Sequence, residues 1–227
     1  MTIKAVAFDL DGVIIDSVGW FQDAYAQLIF EHSGRTDFNM QQTFDAFAKQ
    51  RKASNCTIYQ DYWQYLIDMY DMKKCCPIDL HERSSDLTRI KYEMQPVRKG
   101  VQEVLTTLKK RDIKLALVTS AEQADLDFLI RNKSMDIKYF DIVICSCDVM
   151  NKKPNPEPYL LASKKLGIDP KDMVAVEDSI NGVESAVNAG IGRVIIFNEK
   201  HSDHDRENIN SLTPHNVNDF SELLKLI

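Results

Sequence analysis

The segment Asp9-Leu10-Asp11-Gly12-Val13-Ile14-Ile15-Asp16 carries two carboxylates one residue apart, directly after the run Ile3-Lys4-Ala5-Val6-Ala7-Phe8. That run has the length and composition of a buried strand. Side chains alternate faces along a strand, so Asp9 and Asp11 are predicted to project the same way if the strand continues through them. Two like charges that close repel each other. A bound cation, or a proton shared at a reaction centre, would neutralise one of them. A strand that ends in a solvated acidic turn is the ordinary alternative for a lone Asp-x-Asp, so the rest of the chain has to decide.

Four further strand-like runs follow at wide spacing: Lys114 to Val118, Ile142 to Cys145, Met173 to Val176 and Arg193 to Phe197. Amphipathic helical segments separate them, near residues 100–111, 122–132, 156–166 and 180–189. Apolar strands alternating with helices predict a doubly wound, parallel α/β sheet. The helix punctuation agrees. Ser120-x-x-Gln123 reads as a capping box, and Asn155-Pro156 as an N-cap followed by proline at the first helical position. Gly167 and Gly190 stand where helices should end.

Between Asp16 and about Glu93 no strand run stands out, and the apolar spacing is helical. One stripe is Phe21, Tyr25, Leu28 and Ile29; another is Ile58, Tyr62, Leu66 and Met69. The aromatics here (Trp20, Phe44, Phe47, Tyr59, Trp63) read as helix–helix core rather than as a ligand box. An insert of roughly 75 residues is too long for a loop in a compact domain. The expected organisation is an α/β core domain of residues 1–15 and 96–227 and an all-helical domain of 16–95. Ile15–Ser17 and Gln95-Pro96-Val97 are the candidate hinges.

With 227 residues, 44% hydrophobic and 27% charged, the chain has the composition of an ordinary globular protein large enough to bury a core. A net charge of −6 argues against a general nucleic-acid or membrane-surface binder. It does not exclude small anionic substrates, because a local cation can reverse the sign of a site. No apolar run is long enough to span a bilayer, and Asp9 interrupts any signal-peptide core. Five cysteines, among them Cys75-Cys76 and Cys145-x-Cys147, have neither zinc-ribbon nor redox-pair spacing, and read as reduced thiols of a cytoplasmic protein. The polar stretch His201-Ser202-Asp203-His204-Asp205 reads as a solvated loop.

In doubly wound sheets ligands bind outside the carboxyl ends of the strands. Strand one ends in Asp9 and Asp11, strand two in Thr119-Ser120, strand three near Asp148, and strand four in Glu177-Asp178-Ser179. Lys152-Lys153-Pro154-Asn155-Pro156 follows the third. Such an acidic rim would be prohibitive in a partly dry cleft without a partner, and Mg²⁺ with oxygen ligands is the natural one. The remaining groups suit phosphoryl transfer. A carboxylate can attack phosphorus, a hydroxyl and an ammonium can stabilise phosphoryl oxygens, and a second carboxyl can serve as acid and then base. Lys153 is the better-placed lysine, beside Pro154 and ahead of a capped helix.

Four segments together resemble the motifs of the haloacid dehalogenase superfamily: Asp9–Asp16, Val118-Thr119-Ser120, Lys153-Pro154-x-Pro156 and Val176-Glu177-Asp178-Ser179-x-x-Gly182. The helical insert after the first strand, with Glu177-Asp178-Ser179-Ile180-Asn181-Gly182, is similar to the β-phosphoglucomutase-like phosphatase branch. The resemblance implies Asp9 as a nucleophile forming an aspartyl-phosphate and Asp11 as acid/base. It implies Thr119 and Lys153 as phosphoryl-oxygen contacts, with Ser120 beside them. Mg²⁺ would be held by Asp9, the Asp11 carbonyl and Asp178, with Glu177 in or next to its shell. The insert would be a mobile cap that excludes water when it closes. Asp11 also separates the chain from the dehalogenases and phosphonate hydrolases of the superfamily, which lack an Asp there.

Mutases of this branch carry a histidine five residues after the position of Asp16, where this chain has Phe21. The cap loop with a glycine-led substrate motif reads here Lys49-Gln50-Arg51-Lys52-Ala53-Ser54, so that Arg51 or Lys52 is only a loose candidate for a second phosphate. A Mg²⁺-dependent phosphatase of a small phosphomonoester, a sugar phosphate or similar, is therefore the expected activity, with a hexose-phosphate mutase as the alternative. A signalling receiver fits poorly, because receivers have no helical insert. The expected partner is a small phosphorylated metabolite, with no nucleic acid or membrane, and the chain is expected to be a monomer.

Overall fold

The computed structural model describes residues 2–17, 19–50, 58–94, 97–131, 136–197, 211–213 and 215–227. The chain divides into two compact units, Met1–Val18 with Gln95–Ile227, and Gly19–Met94.

The first unit is built on a six-stranded parallel sheet. Its strands are β1 (Ala5–Phe8), β2 (Lys114–Val118), β3 (Ile142–Ile144), β4 (Met173–Glu177), β5 (Arg193–Phe197) and β6 (His215–Val217). Their spatial order is β3-β2-β1-β4-β5-β6, with every pairing parallel. Both faces of the sheet are covered, which is why β1 and β4 are buried at every residue instead of alternating. Ala5 and Ala7 pack in one cluster with Tyr159, Ala162, Val183 and Ala186. These come from α7 (Glu157–Leu166) and α8 (Ile180–Asn188). On the other face Phe8 stacks on Phe220 at 6.4 Å between ring centres. Phe220 opens the short helix α9 (Phe220–Leu223). Helix α5 (Val101–Lys110) buries Val101, Val104, Leu105 and Leu108, one stripe at helical spacing. Helix α6 (Gln123–Arg131) follows β2.

The second unit holds α1 (Trp20–Ser33), α2 (Met40–Gln50), α3 (Ile58–Tyr70) and α4 (Pro77–Met94). Its core is aromatic: Tyr25 stacks on Trp63 with ring centres 4.1 Å apart, and Phe38, Phe47 and Tyr62 join the same cluster. Thr43 and Tyr62 share a buried hydroxyl–hydroxyl hydrogen bond, so the polar tip of that tyrosine is satisfied. The predicted stripes are off at their ends, since Phe21 and Met69 are about half exposed while Trp20 and Ala24 are buried.

Other departures are local. β1 stops at Phe8, and the chain turns back on itself: the amides of Ile14 and Ile15 both donate to the Leu10 carbonyl. Strand alternation therefore does not set the direction of Asp11. The capping box at Ser120 is absent, because α6 starts three residues later and Asp125 accepts from the Glu122 amide instead. The N-cap of α7 falls on Pro156, one residue later than expected, although the Asn155 side chain accepts from the Glu157 amide at 3.0 Å; Gly167 ends α7 in the left-handed region as expected. Among the described residues no helix is long and apolar enough to cross a membrane.

Candidate active site

The order switches between β1 and β4: from β1 the sheet is extended outward through β2 and β3 on one side, and from β4 through β5 and β6 on the other. The crevice outside their carboxyl ends is where such sheets bind ligands. The ladder brings the ends level: Phe8 pairs with Val176 and Leu117, and the Asp9 amide donates to the Val176 carbonyl. Asp9 and Glu177-Asp178 thus leave adjacent strands at the same height. One carboxylate oxygen from each of Asp9, Glu177 and Asp178 lies within 4.8 Å of the other two.

Lys153 reaches this group from the loop between β3 and α7. Glu157 pins that loop by accepting from the amides of Met150 and Asn151, and Ser185 of α8 donates to the Asn155 carbonyl. The peptide bond Lys153–Pro154 is cis. The ammonium donates to Asp9 Oδ1 at 3.0 Å, to the Val118 carbonyl at 2.8 Å and to Glu177 Oε1 at 2.6 Å. Its side chain is 5% exposed, and that of Glu177 is fully buried. Burial alone would lower the Lys153 pKa, but Asp9 and Glu177 outweigh it and hold the ammonium firmly charged.

The carboxylates are strained electrostatically. Burial pushes Glu177 up to about 7, with Lys153 pulling it down and Asp9 adding to the rise. Asp178 is raised well above the ordinary carboxylate range, by burial first and then by Asp9, Glu177 and Asp11. Asp11 is thus close enough to Asp178 for its charge to be felt. Two glycines make room for this crowd. A Cβ on Gly12, whose φ is +77°, would fall 1.7 Å from Asp178 Oδ2, and a Cβ on Gly182 would fall 1.9 Å from Glu177 Oε2. Oε2 has no hydrogen-bond partner among the described residues, although it is buried. Hard oxygen donors converging from three carboxylates, one of them with an orphaned oxygen, fit a divalent cation such as Mg²⁺.

Thr119 follows β2, buried, with its amide on the Ile144 carbonyl and its hydroxyl oxygen accepting from the Ala121 amide. That leaves the hydroxyl proton for another acceptor. Ser120 beside it is exposed. Asp148 is not drawn into the acidic group: it accepts from the Cys145 amide, closing a turn after β3, and lies 3.7 Å from Lys165. Of the candidate hinges, Gln95 and Pro96 lie outside the described residues, while the residues beside them are joined to the first segment. Ile15 bridges Val97, the Arg98 amide donates to the Ile14 carbonyl, and the Arg98 guanidinium meets Asp16 at 3.0 Å. Arg51, Lys52 and the stretch 201–205 lie outside the described residues.

One residue of the cluster was not anticipated. Tyr159, fully buried on α7, donates its hydroxyl to Glu177 Oε1 at 2.5 Å. Burial and then the Glu177 charge push its pKa up, so it stays a protonated donor. The available signal is a polar-tipped aromatic on a helix, six residues after Lys153.

Comparison with known proteins places the chain in a family. A family model described as haloacid dehalogenase-like hydrolase matches residues 3–190. A phosphorylated carbohydrates phosphatase from Thermotoga maritima is 31% identical over 85% of this chain and 84% of its own. A phosphoglycolate phosphatase from Nitrosospira multiformis is 30% identical over 84% of this chain and 81% of its own. The crystal structure of β-phosphoglucomutase from Clostridium difficile, 17% identical, shares the fold, with a TM-score of 0.69 over 98% of this chain and 93% of that one. A family model that matches most of the chain and a relative 31% identical over most of both lengths show that the chain belongs to the haloacid dehalogenase-like hydrolase family.

Proposed function

We propose that this hydrolase is a Mg²⁺-dependent phosphatase of small phosphomonoesters, of the sugar-phosphate type, working through an aspartyl-phosphate on Asp9. The observation that carries this reading is the Lys153 ammonium, held at once by Asp9 and Glu177 beside Asp178. Relatives named for phosphorylated carbohydrates and for phosphoglycolate support the substrate class.

In the first step an Asp9 oxygen attacks phosphorus, the bond to the leaving oxygen breaks, and that oxygen takes a proton from Asp11. In the second, the Asp11 carboxylate takes a proton from water as the water oxygen attacks the phosphoaspartate. The Asp9–phosphorus bond then breaks, returning the Asp9 carboxylate and inorganic phosphate. Lys153, Thr119 and the neighbouring Ser120 meet the phosphoryl oxygens, where charge develops. Asp9, Asp178, Glu177 and the Asp11 carbonyl are the groups that would hold Mg²⁺, which supplies positive charge between substrate and carboxylates. The helical unit takes the part of the family's cap and sets substrate choice.

Hydrolysis is favoured over mutase chemistry by Phe21, half exposed where the mutases carry histidine. The test incubates the protein with β-glucose 1-phosphate and a trace of the 1,6-bisphosphate, assaying glucose 6-phosphate and inorganic phosphate together. Phosphate release from several phosphomonoesters in Mg²⁺, abolished by EDTA and without isomerisation, is expected. Fast isomerisation with negligible phosphate release would make the chain a mutase.

A further inference from the structure

An ammonium has three N–H bonds, and Lys153 commits one each to Asp9, to the Val118 carbonyl and to Glu177. In this arrangement it has none left for a phosphoryl oxygen, so engaging substrate requires one of these bonds to be given up. The three acceptors are not equivalent. Glu177 Oε1 also accepts from the Tyr159 hydroxyl. The Tyr159 ring also lies beside the ammonium, its centre 5.4 Å from Nζ.

We propose that Tyr159 is a positioning residue that holds Glu177 in place while Lys153 moves one hydrogen bond from Glu177 to the phosphoryl group. The proposal rests on the phosphatase reading above. With Oε2, which has no protein donor among the described residues, left to the cation, that exchange would without the hydroxyl strip Oε1 of a fully buried carboxylate of its last protein donor. A buried charged acceptor stripped of its partner is costly, whereas one donor lost of two is not. The hydroxyl therefore matters chiefly when phosphate is bound.

Tyr159→Phe keeps the ring, its packing and its contact with Lys153, and removes a single O–H. The experiment titrates inorganic phosphate calorimetrically into wild type and variant in saturating Mg²⁺, and separately titrates Mg²⁺ without phosphate. Phosphate binding is expected to weaken by about tenfold or more, while Mg²⁺ affinity without phosphate changes by less than about twofold. Equal phosphate affinity in the two proteins would overturn the proposal and leave the phosphatase reading standing. A loss of Mg²⁺ affinity as large as the loss for phosphate would also overturn it, making Tyr159 a structural prop of Glu177 in all states. Absence of phosphate release from phosphomonoesters by the wild type in Mg²⁺ would remove the phosphatase reading, and the proposal with it.

Discussion

Asp9→Asn is expected to lower kcat for phosphate release by more than about three decades while leaving the fold intact. An amide cannot attack phosphorus, yet its oxygen can still accept from Lys153, whose other acceptors are the Val118 carbonyl and Glu177. The variant also removes one of the charges that raise Asp178 and Glu177. Without divalent cation its stability should therefore be no lower than that of wild type. Steady-state rates in Mg²⁺ and thermal unfolding in EDTA check both halves. Near-wild-type turnover would take the nucleophile's role from Asp9, and a large loss of stability would show that the acidic group is not mutually repulsive.

Lys153→Met should be the most damaging single change for activity and stability together. Methionine has similar length and is at home in a core, so packing is largely preserved. What disappears is the cation between Asp9 and Glu177, with side-chain exposures of 5% for Lys153 and 0% for Glu177. Removing one partner of a buried ion pair costs about 3–5 kcal/mol, because the other charge stays behind uncompensated. Turnover should also fall steeply, since no ammonium is left for the phosphoryl oxygens. Denaturant unfolding with and without Mg²⁺ is the measurement, and Mg²⁺ should restore part of the stability by replacing positive charge. A variant as stable as wild type in EDTA would mean that Lys153 does not neutralise this group.

The strands of the core were legible because parallel sheets bury both faces. Runs such as Leu115-Ala116-Leu117-Val118 and Met173-Val174-Ala175-Val176 have no solvent-facing polar residue to blur them. β6 escaped notice for the opposite reason. His215-Asn216-Val217 has no apolar pattern, and its strand character comes from pairing with β5 at the edge of the sheet. Helix α9 left a trace that went unread: Asp219 accepts from the Ser221 amide and Glu222 reaches back to the Asn218 amide.

Asp9, Glu177 and Asp178 come together because they leave adjacent strands at one height, which strand ends alone predict, whereas Lys153 arrives from the loop after β3. The condition for strand alternation to direct Asp11 is not met, since β1 ends before it and the Leu10–Ile15 turn sets its position. Asp148 carries an equally suggestive sequence position, but the local turn after β3 captures its carboxylate. Tyr159 could not be found by motif reading. Its importance depends on a hydrogen bond spanning 18 residues between a helix and a neighbouring strand end. In the helical unit, side chains shared among α1, α2 and α3 make one aromatic cluster, so composition there reports packing rather than substrate.

A phosphoaspartate on Asp9 is the central chemical intermediate of the proposed reaction. Asp11→Asn keeps the nucleophile and removes the acid/base, so a phosphoryl group transferred from an activated donor should persist. The variant is mixed with acetyl phosphate in Mg²⁺ and its intact mass is recorded, followed by peptide mapping, with Asp9→Asn as the control. The expected result is a gain of one phosphoryl group, mapped to Asp9 and absent from the control. An unmodified Asp11→Asn protein that still turns over phosphoesters at the wild-type rate, or an adduct on any other residue, would contradict it.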